Sequence, residues 1–165
     1  MIGFYNAGRA LLRSADGFEP EDGDQRMEIV GIGSDIVECM RIGRMVEQHG
    51  EQFLTRVFTE REIQFCQSRK HAMQHFAGRW AAKEAIVKCL GTGGRRGISW
   101  TELEIRNDPQ GRPRVHVCGA AKDQARELRV SDILITISHC RAYAAATAIA
   151  VRHAGSEPAA GPKAD

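Results

Sequence analysis

Glu84 and Lys88 stand four residues apart in Phe76-Ala-Gly-Arg-Trp-Ala-Ala-Lys-Glu-Ala-Ile-Val-Lys-Cys-Leu-Gly-Thr-Gly93, a run otherwise suited to a helix interior. At about 100° per residue, Gly78, Ala82, Ala85 and Cys89 form a stripe of small side chains. Phe76, Trp80 and Val87 form a second apolar stripe on nearly the opposite side. Between the stripes, Glu84 stacks with Lys88 on one flank and Arg79 with Lys83 on the other. A helix apolar on two faces is sandwiched, and a buried carboxylate is costly unless it is paired or binds a metal. Two readings stay open for this segment alone: a surface Glu84–Lys88 helix pair, or a carboxylate placed to hold a cation.

A second acidic motif is Glu28-Ile-Val-Gly-Ile-Gly-Ser-Asp-Ile-Val-Glu38. Ile29, Val30 and Ile32 are β-branched, and Gly31 and Gly33 admit another backbone closely, which predicts a buried strand over about 28–34. Asp35 falls at the expected strand end, with Glu38 one helical turn on. Asp35 is then either the N-cap of a helix through Arg41 and Met45 or a functional carboxylate. The Gly-Ile-Gly is no dinucleotide fingerprint, because the third glycine is missing at the required spacing.

In order and spacing these pieces resemble the short, single-domain branch of the 4′-phosphopantetheinyl transferase superfamily, the holo-acyl-carrier-protein synthases. The matching residues are Gly31-Ile-Gly-Ser-Asp-Ile-Val-Glu38 with Arg41-Ile42, Phe58-Thr-Glu-Arg-Glu62, Phe76-Ala-Gly-Arg-Trp-Ala-Ala-Lys-Glu-Ala85, Lys88, Gly91-Thr-Gly93, Ile137-Ser-His139 and Tyr143-Ala-Ala145, covering residues 27 to about 152. The resemblance implies attack of an acyl-carrier-protein serine on the β-phosphorus of coenzyme A, with adenosine 3′,5′-bisphosphate leaving. Asp35 and Glu84 are the expected Mg²⁺ ligands, since that ion takes one or two carboxylates, substrate phosphates and waters. Catalytic roles fall to Glu84 and Lys88. Lys83, Lys88, Arg79, Gly91, Thr92, Gly93 and His139 are expected at the coenzyme A, while Arg95 and Arg96 either hold its 3′-phosphate or line a solvated loop. The base is left open between Glu84, or a water it orients, which ranks first, and Lys88 with its pKa depressed by charged neighbours. Arg41, Arg44 and Met45 are expected to dock apo-acyl carrier protein. Gly50-Glu51-Gln52 replaces the basic residues common after that helix in the family, which bears on docking strength. The family also implies a homotrimer with active sites between subunits. Two rival readings are a binding module without catalysis and a Mg²⁺-dependent hydrolase of pyrophosphates.

Composition agrees. The chain has 165 residues, 42% of them hydrophobic, enough for one core. Residues 27–153 carry 19 Lys and Arg against 14 Asp and Glu, a positive balance suited to anionic ligands and an acidic partner. Only 6% of residues are aromatic and no dense basic run occurs, which argues against nucleic acid. No apolar run approaches the roughly 20 residues of a membrane span. Cys39, Cys66, Cys89, Cys118 and Cys140 are scattered and odd in number, which fits reduced thiols in a cytoplasm.

The elements that must position these residues are a helix over 38–49, a capping box at Thr59-Glu-Arg-Glu62 before a short helix to about Ser68, and the long helix over about 72–90. His71 and His75, at i and i+4, fit the polar start of that helix better than a zinc site, since a third ligand is missing nearby. A hairpin is expected from Glu102–Arg106 and Arg114–Cys118, then a helix over 119–129 and strands over 133–139 and 143–152. The fold class is α+β, one antiparallel sheet curved around the long helix. Residues 1–26 (acidic and turn-rich over Ser14–Gln25) and 154–165 read as disordered flanks of a 27–153 domain. A chain beginning at Met27, a candidate natural start, is therefore expected to fold and turn over normally. Aggregation or inactivity of that shortened chain would make the extension part of the domain.

Overall fold

A computed structural model describes residues 27–91 and 97–153. The chain order is β1 (Met27–Glu38), α1 (Cys39–Val57), α2 (Glu60–Gln67), α3 (Ala72–Cys89), a 3₁₀ turn at Trp100–Glu102, β2 (Leu103–Asn107), β3 (Pro113–Val117), α4 (Gly119–Glu127), β4 (Asp132–His139) and β5 (Tyr143–His153). The α+β class holds, with every strand pair antiparallel. The strands divide into two sheets where one continuous sheet was expected: β1-β5-β4 and the β2-β3 hairpin.

Small residues govern how α3 meets the larger sheet. Ala81, Ala82 and Ala85 on α3 and Ala144, Ala146, Ala148 and Ala150 on β5 are buried. On β1, a Cβ at Gly31 would collide with the carbonyl of Cys89, and one at Gly33 with that of Ala85. A Cβ at Gly78 would press Ile137 of β4 at 2.9 Å. Strand and helix backbones thus touch where a side chain would hold them apart, and the two apolar stripes of α3 are both covered.

The strand expected over about 28–34 forms within β1, but its isoleucines are not buried as expected. Ile29, Ile32 and Ile36 are 66–67% exposed, because the glycines occupy the alternate positions that face α3. Beyond the bulge near Val30, Ile32 pairs with Ile149, which pairs in turn with Leu134, so the outer face of this sheet is apolar. α1 breaks at Gly50, where φ is 52° and ψ −133°, close to its expected end, and then resumes to Val57 so that Phe53, Leu54 and Val57 reach the core.

α2 carries the expected capping box: the Thr59 hydroxyl accepts the Glu62 N–H at 3.3 Å, and Glu62 Oε2 accepts the Thr59 N–H at 2.9 Å. Glu62 also accepts the Ile105 N–H at 3.0 Å and Lys83 Nζ at 2.8 Å, while Lys83 donates to the Trp100 carbonyl at 2.8 Å. Both side chains are fully buried. Burial pushes the Lys83 ammonium below its ordinary value, against the opposing pull of Glu62. One ion pair therefore ties α2, α3, the 3₁₀ turn and β2 together.

Breaking a buried pair strands a charge, at a cost of about 3–5 kcal/mol. Glu62→Ala and Lys83→Met should each lose stability on that scale in urea denaturation, and the double change Glu62→Leu/Lys83→Met should recover part of it. Single variants as stable as the parent would show that the pair is not holding these elements.

Candidate active site

α3 is the spine of the site, and its two flanks carry different chemistry. On one flank β1 brings Asp35 against the helix. β1 runs further than the sequence reading has it, to Glu38, and Asp35 lies inside it opposite Ala146. Asp35 is therefore no N-cap: α1 starts four residues on, and Glu38 at its cap position makes no side-chain cap bond. Lys88 Nζ donates to Asp35 Oδ1 and to the Ser34 carbonyl, both at 2.8 Å. The Asp35 side chain keeps 18% of its surface and that of Lys88 50%, so this pair meets solvent. Glu84 lies one turn before Lys88 on the same flank and is half-buried.

These donors are oxygens on a wetted rim, with an ammonium beside them. That set suits a hard cation shared with an anionic substrate. Among the described residues, no group of three or more His, Cys, Asp or Glu is arranged to hold a metal by itself. Two carboxylates leave most of a coordination shell to water and phosphate oxygens, which is how Mg²⁺ is commonly bound.

The other flank gathers cations. His139 ends β4, exposed rather than in the core, and its ring meets that of His75 edge-on at 5.1 Å. The Arg79 guanidinium lies 4.0 Å over the Phe65 ring, and that of Arg69 lies 4.4 Å from the same ring. Arg79 donates to Asn107 Oδ1 at 2.9 Å, yet its buried Nε has no hydrogen-bond partner. Burial is the main cause holding the His75 imidazolium below the usual histidine range, and His139, Arg79, Arg69 and His71 add repulsion. An anion here would relieve that repulsion.

Six expected positions need correction or fall elsewhere. Lys83 does not reach either flank, because its ammonium is sealed against Glu62 and Trp100. Gly91 serves as the helix terminus, with φ at 63° and its N–H on the Lys88 carbonyl at 3.0 Å, so that donor is taken. Thr92 and Gly93, with Arg95 and Arg96, lie outside the described residues. On α1, Arg41 and Arg44 are exposed and Met45 half-buried, giving the outward basic face with an apolar anchor that the sequence suggests. Sequence reasoning misses Asn107, which falls just past the expected Glu102–Arg106 strand, and Met40, which is 65% exposed beside Arg41. No spacing rule points to either one: Asn107 is brought to Arg79 by the pairing of the hairpin with α3.

Comparison with known proteins identifies the family. The family model of the 4′-phosphopantetheinyl transferase superfamily matches residues 31–148. A holo-[acyl-carrier-protein] synthase of Rhodopirellula baltica is 47% identical over 120 residues, covering 73% of this chain and 95% of that protein. The crystal structure of holo-[acyl-carrier-protein] synthase from Neisseria meningitidis superposes with a TM-score of 0.69 at 31% identity, covering 74% of this chain and 98% of that one. That of the Helicobacter pylori synthase in complex with coenzyme A gives 0.64 at 28% identity, covering 72% and 98%. With a glycine strand holding Asp35 against the Glu84–Lys88 flank, and with these matches across nearly all of its relatives' length, the chain belongs to the 4′-phosphopantetheinyl transferase superfamily.

Proposed function

We infer that this chain is a holo-acyl-carrier-protein synthase: it transfers 4′-phosphopantetheine from coenzyme A to a serine of apo-acyl carrier protein and releases adenosine 3′,5′-bisphosphate. The observation that carries the reading is the convergence of Asp35 and Lys88, 2.8 Å apart, beside Glu84. Phosphoryl transfer asks a protein mainly for positioning and charge stabilisation. Asp35 and Glu84 would hold Mg²⁺, which when bound neutralises pyrophosphate charge. Lys88 already donates to two oxygens, and this fits a donor to the departing phosphate better than a proton acceptor. Glu84 is the carboxylate placed to take the serine proton, directly or through a water. Arg79, His75 and His139 suit a phosphate of the cofactor, because their mutual repulsion favours an anion among them. Arg41 and Arg44, with Met40 and Met45, suit an acidic recognition helix.

We also read the assembly as a homotrimer. Asp35 and His139 both face α3, but β1 and β4 are opposite edges of the three-stranded sheet, so the helix body separates the two flanks within one chain. A neighbour's cationic flank beside this chain's carboxylates would complete a site. The outer sheet face, with Ile29, Ile32, Ile36, Leu134 and Tyr143 exposed, is the apolar surface that further copies would cover. No described helix is long and apolar enough to cross a membrane, and the five thiols are free, which supports a cytoplasmic setting.

Asp35→Ala and Glu84→Ala should each abolish transfer, weighed as the mass gained by apo-acyl carrier protein with coenzyme A and Mg²⁺, while thermal unfolding stays close to the parent. Near-parental Mg²⁺-dependent activity in either variant would overturn the metal assignment. Coenzyme A cleavage without a gain in carrier mass would point to a hydrolase, and carrier binding without any turnover to a docking module.

Mixing inactive Glu84→Ala chains with chains inactivated at Arg79 or His139 should restore part of the activity, because some interfaces then pair two intact walls. No recovery, or a fully active monomer by sedimentation, would refute a site shared between subunits.

A further inference from the structure

Two thiols flank the turn after His139, and neither has a part in the chemistry above. Cys140 opens the turn between β4 and β5 and is exposed. Its N–H donates to the Tyr143 carbonyl at 2.8 Å, and its Sγ accepts the Tyr143 N–H at 3.4 Å. Backbone N–H groups of Tyr143 and Ala142 hold this thiol below the ordinary cysteine value. Cys39 is the first residue of α1 and is buried. Its N–H donates to the Ala142 carbonyl at 2.8 Å, and its Sγ points at the Cys140 carbonyl at 3.8 Å.

The other cysteines are placed differently. Burial pushes the Cys66 and Cys89 thiols up to about 12 and about 11; burial, with the neighbouring Cys140, raises Cys39 as well. Cys118 is exposed, but its thiol turns to the Glu102 carbonyl at 3.8 Å, ahead of α4. A direct contact of one cysteine's sulfur with another's main chain is what distinguishes Cys39 and Cys140.

We propose that hydroperoxides oxidise Cys39 and Cys140 to a reversible disulfide that ties the start of α1 to the turn following His139. The Cys140 thiolate attacks a peroxide oxygen, the O–O bond breaks, and hydroxide (or the alkoxide of an organic peroxide) leaves, giving a sulfenic acid. The Cys39 sulfur then displaces the sulfenic hydroxyl, the S–S bond forms, and the Cys39 proton departs in the water released. Cys39 is shielded from the oxidant and already lies against its partner's backbone, so it is the resolving thiol. To reach Cys39, the Cys140 sulfur must leave the Tyr143 N–H. A disulfide in a reducing compartment is ordinarily transient and regulatory, and this placement fits such a use.

The cross-link joins two surfaces. The first turns of α1 carry Met40, Arg41 and Arg44, and Cys140 is bonded to His139. Its effect on turnover rests on the function inferred above; the cross-link itself does not. The reduced full chain, treated with hydrogen peroxide and then alkylated, should carry two fewer alkyl groups than the untreated chain and yield a linked Cys39–Cys140 peptide that dithiothreitol separates. Cys140→Ser should give no such link and leave Cys39 alkylated. Sulfinic or sulfonic acid at Cys140 beside an alkylated Cys39, a link to Cys118, or a link between chains would overturn the proposal. In transfer assays the oxidised parent should show a severalfold higher KM for the carrier protein, reversed by dithiothreitol, while Cys140→Ser is indifferent to peroxide. A cross-link without any change in KM would overturn the coupling to docking and leave the disulfide standing.

Discussion

Backbone contact between a glycine strand and an alanine-rich helix is the constraint on which the rest of this molecule depends. Gly31 and Gly33 lie where any side chain would collide with Cys89 and Ala85. Removing two Cβ atoms brings β1 onto α3 closely enough that Asp35, two residues past Gly33, meets the Lys88 ammonium directly. A strand held off by even an alanine would put a gap between those charges, and the oxygen-lined rim would lose its shape. The same close approach costs β1 its apolar inward side chains. Its isoleucines therefore point outward, and the face they form is left for another surface to cover.

Lys83 and Glu84 are adjacent, and the helix sends them opposite ways. Lys83 turns into a dry junction of α2, α3 and β2, where Glu62 and the Trp100 carbonyl use its charge for structure. Glu84 turns toward the wetted rim. Fixing the roll of α3 about its axis at Lys83 thus fixes the direction in which Glu84 and Lys88 project. A Lys-Glu dipeptide with both groups at the site would have lacked that anchor.

Much of this was legible beforehand, for physical reasons. Thr59-Glu-Arg-Glu62 announces a helix start because the reciprocal bonds need those residue types at that spacing, and both bonds form. Gly50 and Gly91 mark helix interruptions through positive φ. Asp35 and Glu84 stood out because charges sat among residues that bury. What stayed hidden is what alternation cannot decide. A period of two says that Ile32 and Ile36 share a face, not that glycines will claim the one against the helix. Likewise 3.6 residues per turn stacks Arg79 with Lys83, yet Arg79 reaches Asn107 and Phe65 while Lys83 finds Glu62. Those outcomes depend on partners distant in sequence, and so does the division of the strands into two sheets.

The two lysine–carboxylate pairs of α3 sit five residues apart in different dielectric surroundings. Glu62–Lys83 has no exposed side-chain surface, whereas half of the Lys88 side chain is in water. At physiological ionic strength the Debye length is about 8 Å, and mobile ions screen charges they can approach far more than charges sealed from them. Added salt therefore acts on the two unequally. It loosens Lys88 from Asp35, easing the exchange of the ammonium from carboxylate to an incoming anion, and leaves the roll of the helix untouched. The scaffold is insulated from the ionic composition of its surroundings, while the working edge of the same helix remains tuned by it.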